Sequence, residues 1–542
     1  MRRRYAFLLL GVVASSIAAT PTPVLSGETL EEAVEAFWAA EDERDRDTAR
    51  QAVLDLDPAP GELEGLLKRG REYAEGVPTG WIIGRNEACD GVERPYHFYS
   101  PPAYDPAKRY PLVFNLHGGV SRPSVISAER FSRYREQMWG EAARDAGVLL
   151  ALPLGQKGAE WWSENGLDNL LGILSRIKRV YNVDENRVFV TGFSDGGSGS
   201  FFLALNRSTP FAGFLPLNGF PPVAGVQGFP VYLTNAANKP MYVVNTTEDA
   251  LYPAKLVTPF IEGMKEAGAE ITYKVYENIG HRPDYWPKER APILAFLRKT
   301  GRDPLPRTLS WETSRPGLFG RCHWVRIDEV AETGNDAPEL VKDINPLVKD
   351  DRVRLGIYMD REFPGPGVRV ERLSGEDTTA GRMGIEKGDV ITGMDGEAVG
   401  DLSDLRRILS EKKPGDGVRI VVLRGEAART LEGRFADPAP RPVLARDETA
   451  GRIAVRADGN RVEVRTRNVA RYTLFVSRDL FDVRKPLTVT TNGRASFEGF
   501  VAPDAAFMLE RASADEDRTM VFWGKIEIDA RKAAGEEEGR GF

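Results

Sequence analysis

The chain has 542 residues, 42% hydrophobic and 28% charged, a balance that excludes a disordered polymer and fits a soluble, globular one. Its length allows roughly three or four domains of about 150 residues each. A net charge of −7, with no Lys/Arg cluster in the body of the sequence, excludes a basic surface for nucleic acid.

The N-terminus carries Arg2-Arg3-Arg4, an apolar run from Tyr5 to Ala19, then small residues with Pro21 and Pro23. That is the layout of a secretory signal peptide, expected over residues 1–26, and it predicts a secreted or periplasmic protein. An uncleaved anchor shares the pattern, but the run is shorter than the roughly 20 residues that span a bilayer. No stable membrane insertion is expected, and no cysteine stands near the cleavage region for a lipid. The two cysteines, Cys89 and Cys322, are far apart. Export permits a disulfide between them; inert buried thiols are the alternative.

Residues 27–76 read as a helical segment rich in Ala, Glu, Leu and Arg, broken at Pro58-Ala59-Pro60-Gly61. Over 77–304 short apolar runs alternate with amphipathic stretches. Strands are predicted within Tyr110–Gly119, Gly147–Gly155, Asn186–Phe193, Met241–Asp249 and Ile271–Gly280, and helices over Asn169–Tyr181, Leu256–Gly268 and Ala291–Gly301. Such alternation implies an α/β fold with a mainly parallel sheet.

Past Pro306 the texture turns to β. Arg321–Val330 reads as one strand, and further runs follow from Gly451. Among them Arg461-Val462-Glu463-Val464-Arg465 alternates strictly, and Asn492-Gly493 is a hairpin signal. Residues 305–340 and 440–531 are read as one β-sandwich-like, all-β module, interrupted by a self-contained unit at 345–436. Three consecutive small domains are the rival arrangement. The acidic tail, 532–542, reads as disordered.

Chemistry concentrates around Gly192-Phe193-Ser194-Asp195-Gly196, which follows a predicted strand and precedes small residues. An activated serine needs a base within hydrogen-bond reach, an acid to orient that base, and donors for the oxyanion. The chain has four histidines. His97 lies on an early strand, His117 precedes Gly118-Gly119, and His323 belongs to the β module. His281 stands in the loop after a predicted sheet strand, at the carboxyl edge where parallel sheets present catalytic groups. The acid is sought after the strand of "VVNTTEDALYP", where Asp249 and its neighbour Glu248 both qualify. The order Ser194, Asp249, His281 is that of the nucleophile-elbow hydrolases.

With "LVFNLHGG", "YNVDENRVFVTGFSDGG", "TEDALYP" and "GH" in this order, Trp81–Arg302 resembles the α/β-hydrolase fold. Within it the resemblance is to the secreted esterase branch that includes polyhydroxybutyrate depolymerases and feruloyl esterases. The resemblance implies Ser194 as nucleophile, Asp249 as acid and His281 as general base, acting on a small ester or polyester without a cofactor. It also implies oxyanion donors at the backbone N–H groups of Gly119 and Asp195. The Asp195 side chain is either a turn residue or directed at substrate, and His117 is expected to brace the oxyanion loop. Trp161, Trp162 and Trp286 either wall the substrate pocket or pack beneath a loop. No metal-binding spacing stands out.

"RLGIYMD", "GVRVERL", "AGRMGIEKGDVITGMDGEAV" and "LSDLRRILSEKKPGDGVRIVVLRG" resemble a PDZ domain of the bacterial protease-associated type. Such domains bind an extended peptide as an added strand and hold its C-terminal carboxylate by backbone N–H groups. The resemblance places the carboxylate at Leu355-Gly356-Ile357, with Arg354 beside it and Leu405 and Leu409 lining the groove. A PDZ with a blocked groove is the alternative, and the chain's own Gly541-Phe542 is a conceivable ligand. The leading expectation is a secreted serine esterase. A peptidase of prolyl-oligopeptidase type keeps the fold, though no propeller precedes the hydrolase block; an inactive hydrolase serving as a binding scaffold is the third reading.

Overall fold

The computed structural model describes residues 29–531 apart from 41–42, 121–131, 133–134, 136–137, 335, 361 and 438. The expected signal peptide and acidic tail, with Gly541-Phe542, lie outside the described residues. The chain divides into two compact units, one ending at Glu72 and one beginning at Tyr73.

The first unit holds α1 (Leu30–Ala39), α2 (Glu43–Asp55) and α3 (Pro60–Arg69). A capping box starts α1: the Thr29 hydroxyl accepts the Glu32 N–H, and the Glu32 carboxylate accepts the Thr29 N–H. The proline-rich break of the sequence is a helix start, with Pro60 where its missing N–H costs nothing. Val34, Phe37, Trp38, Val53, Leu63 and Leu67 form the buried faces.

The second unit begins with an α/β block. In order it contains β1 (Gly80–Glu87), β2 (Glu93–Ser100), β3 (Tyr110–Leu116), α4 (Trp139–Ala146), β4 (Leu149–Leu152), α5 (Glu164–Val180), β5 (Val183–Phe193), α6 (Asp195–Asn206), β6 (Gly213–Leu217), β7 (Met241–Thr246), α7 (Ala254–Glu266), β8 (Ile271–Tyr276) and α8 (Trp286–Lys299). The eight strands lie in the order β1-β2-β4-β3-β5-β6-β7-β8, antiparallel at the β1 and β2 end and parallel from β4 onward. Helices cover both faces, which is why the central strands are apolar throughout rather than alternating. Leu112, Phe114 and Leu116 of β3 join the core under α5, α6 and α7. Val113, between them, joins Trp139 of α4 and Ile293 of α8 on the other face.

The β module forms two sheets. One contains β10 (Arg321–Cys322), β11 (Val325–Val330), β22 (Val469–Val476) and β25 (Gly524–Asp529); the other runs β24 (Arg494–Gly499), β23 (Leu487–Thr491), β21 (Arg461–Arg467), β20 (Gly451–Asp458), β9 (Thr308–Thr313). β9 pairs with β20 and β11 with β22, so strands on either side of the inserted unit share sheets. The single strand expected over Arg321–Val330 is instead a tight hairpin reversing at His323, whose φ is +53°. Hydrogen bonds between His323 Nδ1 and the Pro304 carbonyl, and from Trp324 Nε1 to the Pro306 carbonyl, hold that reversal. At Asn492-Gly493 both φ angles are positive, +50° and +82°, as a two-residue hairpin turn demands.

The inserted unit is entered by β12 (Leu347–Val348) and left by β19 (Arg441–Pro442), which pair with each other. Between them lie β13 (Ile357–Met359), β14 (Val368–Leu373), α9 (Thr379–Met383), β15 (Val390–Met394), β16 (Glu397–Ala398), α10 (Leu402–Ser410), β17 (Gly417–Arg424) and β18 (Ala427–Arg434), with β13 at one sheet edge. Asp389, in the "KGDV" stretch, is buried, caps the Glu386 N–H and receives the Arg424 guanidinium. The last helix, α11 (Ala505–Asp515), leads into a segment that returns to the α/β block. No helix among the described residues is long and apolar enough to cross a membrane.

Candidate active site

Strand β5 runs into α6 through a one-residue elbow at Ser194, with φ +61° and ψ −121°. This sparsely populated backbone conformation is a strain that the surrounding packing must hold. The packing is visible at the flanking glycines. A Cβ on Gly192 would lie 2.5 Å from the Gly196 carbonyl carbon, and one on Gly196 would lie 1.9 Å from the Leu116 oxygen. Neither position accepts a side chain, so β3, the elbow and the first turn of α6 close on one another.

His281 follows β8 and Asp249 follows β7, so both reach the same carboxyl edge of the sheet. Ser194 Oγ lies 2.7 Å from His281 Nε2, and His281 Nδ1 lies 2.7 Å from Asp249 Oδ2. With an ionised Asp249 accepting from Nδ1–H, a neutral His281 keeps its Nε2 lone pair for the serine proton. The Asp249 side chain is 0% exposed and that of His281 22%. Neighbouring Glu248 points to solvent, which decides between the two acids for this position.

Asp249 is heavily satisfied. Asn218 Nδ2 donates to Oδ2 at 2.8 Å, and the Leu251 and Tyr252 N–H groups donate to Oδ1 at 2.8 Å each. Burial pushes its carboxyl up, but the bonds from His281, Asn218 and Tyr252 outweigh that and hold it below the ordinary value. Asn218, at φ +46°, is fixed in turn by the Tyr285 hydroxyl, which donates to its Oδ1 at 2.8 Å. Sequence reasoning missed Asn218 and Tyr285; "LNGF" after a strand signals a turn and says nothing about the acid it faces.

The oxyanion side departs from expectation. The Gly119 N–H, expected to face the oxyanion, donates to Asp195 Oδ2 at 2.9 Å, and the Val120 N–H donates to the same oxygen at 3.0 Å. Tyr252 Oη adds a third donor, to Asp195 Oδ1, at 3.3 Å. The Asp195 side chain therefore ties the loop after β3 to the elbow and to Tyr252. Its own N–H opens α6, among the first-turn donors that have no partner within the helix. Gly118 is also close to the elbow: a Cβ there would lie 2.9 Å from Ser194 Cβ. His117 braces this loop, accepting the Gly155 N–H on Nε2 at 3.0 Å and lying 2.8 Å from the Gly118 carbonyl through Nδ1.

Of the two alternatives left open for the tryptophans, packing describes what surrounds them. Trp161 is buried beneath the loop, its Nε1 donating to the His117 carbonyl at 2.9 Å, with Gly155 and Gly199 pressed against its ring. Trp162 is buried in the main core, and Trp286 packs against Trp139 at 5.4 Å between ring centroids. What borders the triad is aromatic of another kind: Phe193 lies 5.0 Å and Tyr252 5.9 Å from the His281 ring.

In the inserted unit the Leu355 and Leu405 side chains are buried in its core. Gly356 (φ +83°), Ile357 and Leu409 are half-buried. Arg354 does not stand at the loop alone but pairs with Asp350 at 3.3 Å. Cys89 is exposed and Cys322 buried, and both are free thiols. Among the described residues no group of three His, Cys, Asp or Glu side chains is placed to hold a metal ion.

Comparison with known proteins agrees with this architecture. Residues 165–300 match the phospholipase/carboxylesterase family and residues 353–433 the PDZ domain family. The chain is 25% identical over 229 residues to a bifunctional acetylxylan esterase/xylanase of Neocallimastix patriciarum, covering 40% of this chain and 31% of that protein. It is 31% identical over 129 residues to a probable feruloyl esterase C of Aspergillus terreus, covering 23% of this chain and 46% of the other. The chain thus spans less than half the length of either relative. A solved thermostable esterase is similar at 21% identity and a TM-score of 0.34, covering 41% of this chain and 63% of that one. One chain therefore contains both a hydrolase domain of the phospholipase/carboxylesterase family and a PDZ domain.

Proposed function

We propose that the protein is a serine hydrolase that cleaves carboxylic esters through an acyl intermediate on Ser194. The observation that carries this reading is the unbroken chain from Ser194 Oγ through His281 to a buried, fully hydrogen-bonded Asp249, with both links at 2.7 Å. Ser194 attacks the ester carbonyl while His281 takes its proton; His281 then returns that proton to the leaving alcohol, and water repeats the cycle on the acyl-enzyme. Asp249 holds the imidazole tautomer and stabilises the imidazolium. The Asp195 N–H stabilises the oxyanion, while the Asp195 carboxylate keeps the Gly119 N–H engaged. The relatives named as feruloyl and acetylxylan esterases support an acyl ester as substrate. The Arg2–Ala19 pattern supports action outside the cytoplasm.

Ser194→Ala abolishes hydrolysis of p-nitrophenyl acetate and labelling by a fluorophosphonate probe; activity retained in that variant sinks the assignment. The PDZ domain favours a second reading, a peptidase on the same triad, because such a domain recruits polypeptide. Cleavage of peptide but not ester substrates by the purified protein would select it. Failure of the wild type to react with the probe would select the scaffold reading instead.

A further inference from the structure

Tyr252 has two neighbourhoods. Its hydroxyl and ring edge face Asp195 and His281, while its ring stacks on Phe220 at 5.8 Å and 15°. Behind that stacked pair lies a cavity of about 580 Å³, within the size range of small-molecule sites. One wall belongs to the hydrolase block, with Phe229 and Leu251 beside the stacked pair; the other is made by Val348 and Leu444, next to the β12–β19 ladder that carries the PDZ domain.

The apolar floor has a cationic rim. Arg352, Arg354 and Arg441 line it, with Asp350 as the one carboxylate among the lining residues. Asp350 is already engaged, receiving Arg352 Nε and Nη2 at 2.7 Å each and Arg354 at 3.3 Å. Arg352 is further tied to the Ala250 and Leu251 carbonyls, which fixes the rim to the loop that follows Asp249. Arg354, with a side chain 60% exposed, shares its one carboxylate, and Arg441 is exposed. An apolar chamber with surplus guanidinium charge at its edge fits an apolar chain that ends in a carboxylate, the group that guanidinium planes grip best.

We propose that this cavity receives the far end of the ester substrate and that this end is a free carboxylate, so the preferred substrates are amphiphilic esters bearing a second, unesterified carboxyl group. The inference rests on the serine-hydrolase reading above and adds the substrate class. The substrate chain would run from Ser194 past Tyr252, which touches Asp195 and His281 and also lines the cavity.

Two matched pairs of esters test it: p-nitrophenyl octanoate against mono-p-nitrophenyl suberate, and octyl acetate against ω-acetoxyoctanoate. The charged member of at least one pair is expected to have a kcat/KM about tenfold higher, the ratio that roughly 1.4 kcal/mol of added transition-state binding supplies. In the Arg354→Ala, Arg441→Ala double variant that ratio falls to about one. Equal rates within both pairs, or a preference that survives the double substitution, overturn the proposal. If no ester is hydrolysed, the ester-hydrolase reading fails by itself, and the cavity is read by titrating suberate calorimetrically. Binding by wild type and none by the double variant supports the carboxylate site; no binding by wild type overturns it.

Discussion

The hydrolase block meets the rest of its unit at two junctions built on opposite principles. Towards the β module the contact is buried and charged. Arg302 pairs with Asp517 with both side chains essentially buried, Arg518 grips Glu185, and Lys178 Nζ donates to the Glu516 carbonyl. The Asn235 side chain also mimics a strand, bonding both the N–H and the carbonyl of Glu312 on β9. Towards the PDZ domain the contact is exposed and less closely packed: Lys255 and Asp351 pair with side chains about half exposed, and a cavity remains between the walls. Buried pairs tolerate no partner loss, whereas exposed pairs contribute little. The first junction is a weld that fixes geometry, and the second leaves a cavity beside the candidate catalytic edge.

The sharpest way to break this contrast is Asp517→Ala. It strands the Arg302 guanidinium in the interior and should cost about 3–5 kcal/mol, read as a lower denaturant midpoint for the transition that exposes the hydrolase–β-module core. If the midpoint hardly moves, the weld is not one.

Acid should act on the same junction. Burial pushes the Asp517 carboxyl up, but the Arg302 and Lys178 charges outweigh it and hold the group well below its ordinary 3.8. A depressed folded value means the contribution is complete above 3.8 and disappears as pH falls from there towards the folded value. Hydrogen exchange at Lys178–Glu185 and Asp515–Thr519 should therefore accelerate as pH drops below about 4 after correction for intrinsic rates. In Asp517→Ala that acid-dependent component should be missing.

The smallest effect is expected at the loose junction. Lys255→Ala removes an exposed pair and should change stability by less than about 1 kcal/mol, and less again at high salt. A loss matching that of Asp517→Ala would erase the distinction between the two contacts.

Much of the candidate catalytic edge is legible in the chain. A strand, then Gly192-x-Ser194-x-Gly196, then an acid and a histidine each following a further strand, carries both backbone geometry and order. Scarcity of histidine narrows the base to His281. The PDZ stretch is legible for the same local reason, because its glycines and Asp389 mark turns and a cap. Less legible were the hairpin within Arg321–Val330, expected as a single strand, and the choice between pocket wall and buried packing at Trp161. The hairpin at His323 is held by carbonyls of Pro304 and Pro306, and Trp161 is held by the His117 carbonyl; neither partner is announced by a pattern near it.

The sequence by itself determined the alternation of strands and helices, the glycines that admit the Ser194 elbow, and the chain order of serine, acid and histidine. These depend on neighbours within a few residues and on side-chain period. Only the tertiary structure decided that Asp195 engages the Gly119 N–H, that Asn218 and Tyr285 brace the acid, and that Arg352 and Arg354 rim a cavity behind Tyr252. Those contacts join residues tens to hundreds of positions apart, and hydrogen-bond geometry among such groups is set by how the layers pack.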